Sequence, residues 1–338
     1  MAWAARAWAA TVRTVPRLAL LTIFWFLTAC SQQKTGRTIT LAVQPPSTNN
    51  YPTHIAAWLG YFKEAGVDVS IIQIAGASKI LEAVVGGSAE VGSGVYEQAI
   101  QMAAEGKQVA CFVTLIQSPN FAILAGPKSP VKTIEDLKGH SVGVSSLGSP
   151  SQFYLNYLLA RRNIAASTVS TTGIGMGATA AAALEQGQVD SAVLFGSAIT
   201  SQQSRGARIL ADARTPEGLK ALLGVDDYPA SCLLAQSTWL DAHAEDATKI
   251  AHATLRALTW IRQHSAEEVL NAVPKEFRVG DAAAELAAIK LAQPMYSADG
   301  KMNPSATSAV REILGTSVES VRKAQIDLVK TYTNQFVN

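Results

Sequence analysis

The stretch HSVGVSSLGSPSQFYLNYLL (His140–Leu159) decides the fold. A short apolar strand, His140–Ser146, runs into a loop of serines around one glycine, and an amphipathic helix starts at once at Pro150. The loop admits two interpretations. Ser149 suits an N-cap, Pro150 the first helical position and Gln152 the partner of a capping box. Alternatively, the helix-start amides of Gly148, Ser149, Ser151 and Gln152, with the hydroxyls of Ser145 and Ser146, form a site for negative charge.

Outward from this stretch the same hand-over repeats. Upstream, strands are predicted at Thr38–Gln44, Val67–Ile74, Ala89–Val95 and Val109–Ile116, with helices at Pro52–Glu64, Ser78–Val85 and Tyr96–Glu105. Downstream, strands follow at Val169–Gly173, Ser191–Phe195 and Ala207–Ala213, with helices at Pro150–Arg162 and Ala178–Gln186. Strands alternating with helices predict mostly parallel sheets. From Asp246 the chain turns helical, with a last helix expected over Val318–Phe336. LEAVVGGSAEVGSG (Leu81–Gly94) and AAALEQGQVDSAVLF (Ala181–Phe195) echo each other, each with a glycine, an acid (Glu90 or Asp190) and a strand. The echo fits two α/β units of one plan, and equally the ordinary punctuation of any α/β turn.

The chain has 338 residues, enough for two domains. Hydrophobic residues make up 48% and charged residues 16%, which excludes a disordered chain. The net charge of +2 comes without a basic cluster in the body, which argues against nucleic acid as a partner. At the N-terminus Arg6, Arg13 and Arg17 precede the apolar run Leu18–Leu27, the length of a signal-peptide core. Leu27-Thr28-Ala29-Cys30 resembles a bacterial lipobox. Residues 1–30 are therefore expected to be a lipoprotein signal peptide, with Cys30 lipidated and the mature protein tethered outside the cytoplasm by acyl chains. Cys111 and Cys232, in apolar strand-like runs, are expected as buried free thiols, with a disulfide between them left open. No Cys/His spacing matches a metal site.

Two crossings, Phe121–Pro130 and Leu223–Cys232, divide the chain into lobe 1 (38–125 and 230–338) and lobe 2 (126–229). Ligands of open α/β sheets bind beyond the carboxyl ends of strands. There the sequence carries small, amide- or hydroxyl-bearing residues in QPPSTNNY (Gln44–Tyr51), AGAS (Ala75–Ser78), GSGVY (Gly92–Tyr96), QSPN (Gln117–Asn120), SSLGSPS (Ser145–Ser151), GIGMG (Gly173–Gly177) and FGS (Phe195–Ser197).

GYFKEAGVDVSIIQ, AGASKILEAVVGGSAEVGSGVYEQAI, TIEDLKGHSVGVSSLGSPSQFYLNYLL and ALEQGQVDSAVLF together resemble the periplasmic solute-binding proteins of ABC importers, of the nitrate, sulfonate, taurine and thiamine-pyrimidine-precursor type. The likeness runs from about Thr38 to Gly206. It implies a two-lobed, type II-like periplasmic-binding-protein fold, α/β in class, with a mixed sheet flanked by helices in each lobe and a helical C-terminal part. It implies a monomer that hands a small molecule to a transmembrane permease with a cytoplasmic ATPase. An exported protein feeding a sensor is the alternative that sequence does not separate. The candidate ligand contacts are Gln44, Asn49, Tyr51, His54, Ser78, Ser93, Tyr96, Asn120, Ser145, Ser146, Gly148, Ser149, Ser151, Met176 and Phe195.

The loops hold almost no cation, Lys79 being the nearest. Tyr51, Tyr96, Phe121, Phe153, Tyr154 and Phe195 lie in or beside them. Aromatic rings suit an organic ligand with an apolar body and one polar end. The expectation is a small sulfonate or carboxylate, with a thiamine-precursor pyrimidine or similar heteroaromatic as the alternative. Related enzymes share the fold. Against catalysis, the chain has no Gly-x-Ser-x-Gly elbow, its Gly173–Gly177 run falls short of a dinucleotide fingerprint, and no cofactor is expected. Of five histidines only His54 lies near the expected cleft.

Overall fold

Apolar runs of four to eight residues, ended by glycines and small polar residues, become strands here, and the intervening alanine-rich runs become helices. A computed structural model describes residues 37–278 and 281–338. The expected signal segment and Cys30 lie outside the described residues. The first run is β1 (Ile39–Val43), α1 (Tyr51–Trp58), α2 (Tyr61–Glu64), β2 (Val69–Gln73), α3 (Ala77–Val85), β3 (Val91–Gly94), α4 (Tyr96–Ala104) and β4 (Val109–Ile116). The second is β5 (Phe121–Ala125), β6 (Ser141–Val144), α5 (Pro150–Arg161), β7 (Ser170–Gly173), α6 (Gly177–Glu185), β8 (Ser191–Phe195), α7 (Ser197–Ser204), β9 (Arg208–Asp212) and α8 (Pro216–Leu223). After β10 (Ser231–Gln236) come α9 (Ser237–Ala242), α10 (Ala244–Gln263), α11 (Ala266–Ala272), α12 (Ala282–Ala292), α13 (Pro304–Ser317) and α14 (Glu319–Lys323).

The strands form two five-stranded sheets, ordered β2-β1-β3-β10-β4 and β7-β6-β8-β5-β9. Each sheet has the same plan: its first three strands are parallel, and an antiparallel strand, β10 or β5, separates the third from the fifth. The sequence echo is therefore structural. Glu90 Oε2 accepts the Thr40 N–H of β1 at 2.8 Å, and Asp190 Oδ2 accepts the Ser141 N–H of β6 at 2.9 Å. Each acid thus ties the entry of the third strand in its sheet's order to the second.

Four details differ from expectation. Pairing of Phe121 with Phe195 puts β5 in the second sheet, so the chain changes sheets at Gln117–Asn120, before Phe121. The expected helix Pro52–Glu64 is two helices, because Gly60 adopts φ 76°, a left-handed stop that glycine takes without steric cost. The expected helix Val318–Phe336 ends at Lys323. Beyond it the backbone turns to the first sheet, where Thr333 N–H donates to the Cys111 carbonyl at 2.8 Å. Cys111 and Cys232 are not free thiols: they are disulfide-bonded, with Cα atoms 5.8 Å apart on the paired strands β4 and β10.

The core runs through both sheets. Every residue of β4 and β5 is buried. Among the described residues no helix is long and apolar enough to cross a membrane, and no group of His, Cys, Asp or Glu could hold a metal ion.

Candidate ligand-binding site

At the carboxyl ends of β6 and β7 two loops lie side by side. The Ile174 N–H donates to the Val144 carbonyl at 2.8 Å, and the Gly175 N–H to the Ser145 carbonyl at 3.1 Å. Close approach explains the glycines: a Cβ on Gly143 would come within 2.3 Å of the Ile174 side chain, and one on Gly173 within 3.5 Å of the Ser146 backbone. This zipper displays Ser146, Leu147, Gly148, Gly175 and Met176 to solvent. Leu147 is 65% exposed and Met176 47%, unusual for large apolar side chains beside a packed sheet.

The serines behind them are spent on one another. Ser145 Oγ lies 2.9 Å from both Ser149 Oγ and Ser151 Oγ, and those two are 2.7 Å apart. Ser151 Oγ also accepts the Ser145 N–H at 2.9 Å. The expected capping box does not form. Ser149 caps no helical amide, and Gln152 Oε1 accepts the Gly148 N–H at 2.6 Å instead. The hydroxyls of Ser145, Ser149 and Ser151 thus set the shape of the helix start, while Ser146 and Gly148 face outward.

In the first sheet the loop after β1 is built on Asn50. Its amide donates to the carbonyls of Gln44 and Pro45 at 3.0 and 3.1 Å, and its Oδ1 accepts the Ser47 N–H at 2.8 Å. His54 Nε2 lies 2.9 Å from the same Gln44 carbonyl, and its ring stacks on Trp58. Burial lowers its basicity, and the backbone bond to Gln44 offsets part of that. This loop reaches the second sheet. Asn120 donates to Asn49 Oδ1 at 3.0 Å and to Thr48 Oγ1 at 3.3 Å, and a Cβ on Gly196, next to Phe195, would meet Thr48 Oγ1 at 3.4 Å. Asn49, Asn120 and Phe195 therefore gather where the two sheets meet.

Other expected contacts are used by the scaffold. Tyr96 is fully buried with its hydroxyl 2.6 Å from Thr331 Oγ1. Tyr51 donates to Glu285 Oε1 at 2.6 Å, and burial together with that carboxylate holds the phenol far above its ordinary range. Ser93 is buried and accepts from Thr53 at 3.4 Å, whereas Ser78 is exposed in the first turn of α3.

Three residues at this edge escape sequence reasoning. Leu147 sits among serines and reads as loop filler. Gln98 spans two loops, donating to the Ala77 carbonyl at 2.7 Å and accepting the Val95 N–H at 3.2 Å. Arg214, just past β9, is 6% exposed, and its charge is met by bidentate bonds to Asp212 at 2.8 and 2.6 Å. A surface hollow of about 290 Å³ lined by Gln108, Ser237, Asp241 and Tyr332 lies at the other end of β4 and holds none of the expected residues.

The arrangement pairs no nucleophile with a base. It offers exposed apolar side chains beside backbone amides and small hydroxyls, which suits binding. Residues 47–268 match the family described as "NMT1/THI5 like". A solved structure from Bordetella bronchiseptica RB50 is 34% identical with a TM-score of 0.82, covering 89% of this chain and 95% of that one. The alkanesulfonate-binding protein SsuA from Xanthomonas axonopodis pv. citri, solved bound to MOPS, is 16% identical with a TM-score of 0.72, covering 88% of this chain and 98% of its own. YtlA of Bacillus subtilis (strain 168) is 23% identical over 303 residues, 88% of each chain.

Proposed function

The chain belongs to the NMT1/THI5-like family and has the periplasmic-binding-protein fold, and on that footing we propose that it captures a small organic anion between its two sheets and delivers it to a membrane permease. The observation that carries this is the pair Leu147 and Met176, exposed on adjacent loops at the carboxyl ends of β6 and β7. An apolar ligand body lies against them. Its charged end meets the α5 start and takes the place of Gln152 Oε1 on the Gly148 N–H, where the helix dipole favours negative charge. Residues 38–120 with 230–338, and 121–229, act as the two closing lobes. Ser146, Gly148 and Met176 bind from one side, and Gln44, Asn49 and Ser78 from the other. A sulfonate or carboxylate fits, and the alkanesulfonate-binding neighbour supports that class.

A second ligand class has its own support. The loops 44–51, 145–151 and 173–177 contain no Lys or Arg, which favours a neutral heteroaromatic such as a pyrimidine. A thermal-shift panel of alkanesulfonates, aromatic carboxylates, pyrimidines and nitrate separates the two, because a solute bound only by the native state raises its melting temperature. No shift with any of them at millimolar concentration speaks against the whole proposal.

The protein works outside the cytoplasm, tethered through Cys30. Intact-mass analysis of membrane-extracted protein should show an acyl-modified Cys30, lost in Cys30→Ser. Wild-type protein without an acyl group ends the tether proposal.

A further inference from the structure

Glu97, in the first turn of α4, is an acid with almost no exposure, 1%. Its Oε1 accepts hydrogen bonds from the hydroxyls of Tyr154 at 2.8 Å and Tyr228 at 2.7 Å. The three residues come from three places. Helix α4 follows β3 of the first sheet, α5 follows β6 of the second, and Tyr228 lies on the return crossing just before β10. Tyr154 also stacks on Phe121, the first residue after the outward crossing, with ring centroids 4.7 Å apart and planes 4° from parallel. One carboxyl therefore joins both sheet-bearing halves and both crossings. Its other oxygen, Oε2, is buried without a partner.

Among the described residues no cationic side chain compensates a negative charge on Glu97. It forms no ion pair among the described residues, and the titratable groups facing it are Tyr154, Tyr228 and, beside it, Tyr96. Helix α13 packs on both α4 and α5. Its Arg311 donates to the Ala324 carbonyl, while Glu312, and Glu319, Arg322 and Lys323 of α14, are exposed. Asp227, next to Tyr228, is a second acid raised by burial, partnered with Asn303. Burial raises the Glu97 carboxyl above its usual range, and the hydrogen bonds from Tyr228, from its own backbone and from Tyr154 offset only part of that. An ionised carboxyl there gains water only if the joint parts.

We infer that Glu97 is a positioning residue for solute capture: as a neutral acid it pins the first turn of α4 and the second turn of α5 to the return crossing, and loss of its proton releases that joint and lets the two sheet-bearing halves part. Its consequence for capture rests on the solute-binding function proposed above. The joint itself does not.

The test uses ligand-free mature protein from pH 5 to 9.5. Small-angle scattering and thermal melting are compared for wild type, Glu97→Gln and Tyr154→Phe. The folded-state acid holds its proton to higher pH than the unfolded one. Stability from Glu97 therefore falls as pH rises above the unfolded carboxyl range, and levels off past the folded pKa. Wild type should expand with rising pH. Glu97→Gln should stay compact throughout, and its melting temperature should exceed that of wild type by a margin that widens with pH. Differences between these two cancel the contribution of Asp227. Tyr154→Phe removes a donor that favours the anion, so its expansion should move to higher pH, which keeps the test alive if Glu97→Gln fails to fold. Identical pH profiles in wild type and Glu97→Gln, or an unmoved midpoint in Tyr154→Phe, overturn the inference. Expansion that depends on Glu97 in a protein that binds no panel solute refutes the solute proposal alone. Solute binding with no such dependence refutes the joint alone.

Discussion

The side-chain amide of Asn120 donates to Asn49 Oδ1 at 3.0 Å, fastening the outward crossing to the loop that ends β1. Asn120 is 2% exposed and holds φ 49°, a left-handed conformation. Two separate costs follow. Asn120→Gly keeps the backbone and loses the buried bonds, at about 1–3 kcal/mol. Asn120→Ala should cost about 1–2 kcal/mol more, the steric penalty of a Cβ in that region. Urea unfolding of both variants checks the order. Equal losses would mean the backbone is not strained by a side chain.

Ser151→Ala removes the acceptor of the Ser145 N–H and breaks the three-serine ring. A loss of about 1–3 kcal/mol of stability is expected. Ser146→Ala, at an exposed position, should change stability by no more than about 0.5 kcal/mol. Denaturant midpoints read both.

Gln152 occupies the Gly148 N–H that the proposed anion needs. Gln152→Ala should therefore tighten binding of the strongest panel anion, by about 0.5–1.5 kcal/mol, the worth of a neutral hydrogen bond. Calorimetry decides. Weaker binding would make Gln152 itself a ligand contact.

The Cys111–Cys232 bond closes a sequence separation of 121 residues between neighbouring strands of the first sheet. Replacing both cysteines with alanine should cost about 2–5 kcal/mol. Reductant should lower the wild-type melting temperature and leave the double variant unchanged. A thiol assay that finds both cysteines free in exported protein would contradict the bond.

The two-sheet plan was legible because its strands are short and ended by glycine or small polar residues, as in AEVGSGV before α4 and HSVGVSS before α5. What was not legible depends on distant partners. Whether Glu90 and Asp190 were punctuation or structure turned on N–H groups of Thr40 and Ser141, each about fifty residues away. The capping box at Ser149 is a sound local pattern, yet the serine hydroxyls found each other first. Helix α7 was missed because Ser197–Ser204 is mostly polar, and its helicity comes from packing on α6 and α12. Tyr96 looked like a ligand contact from its place after β3, but Thr331, far along the chain, takes its hydroxyl. Nothing in the tripeptide Tyr96-Glu97-Gln98 marks the middle residue as a buried acid.

The most direct measurement is hydrogen exchange by mass spectrometry, with and without the panel solute that raises the melting temperature most. Slowed exchange at 145–152 and 173–177 together with 44–51 is the result predicted for a ligand held between the two sheets. Protection confined to peptides around Gln108 and Tyr332, at the other end of β4, would contradict it.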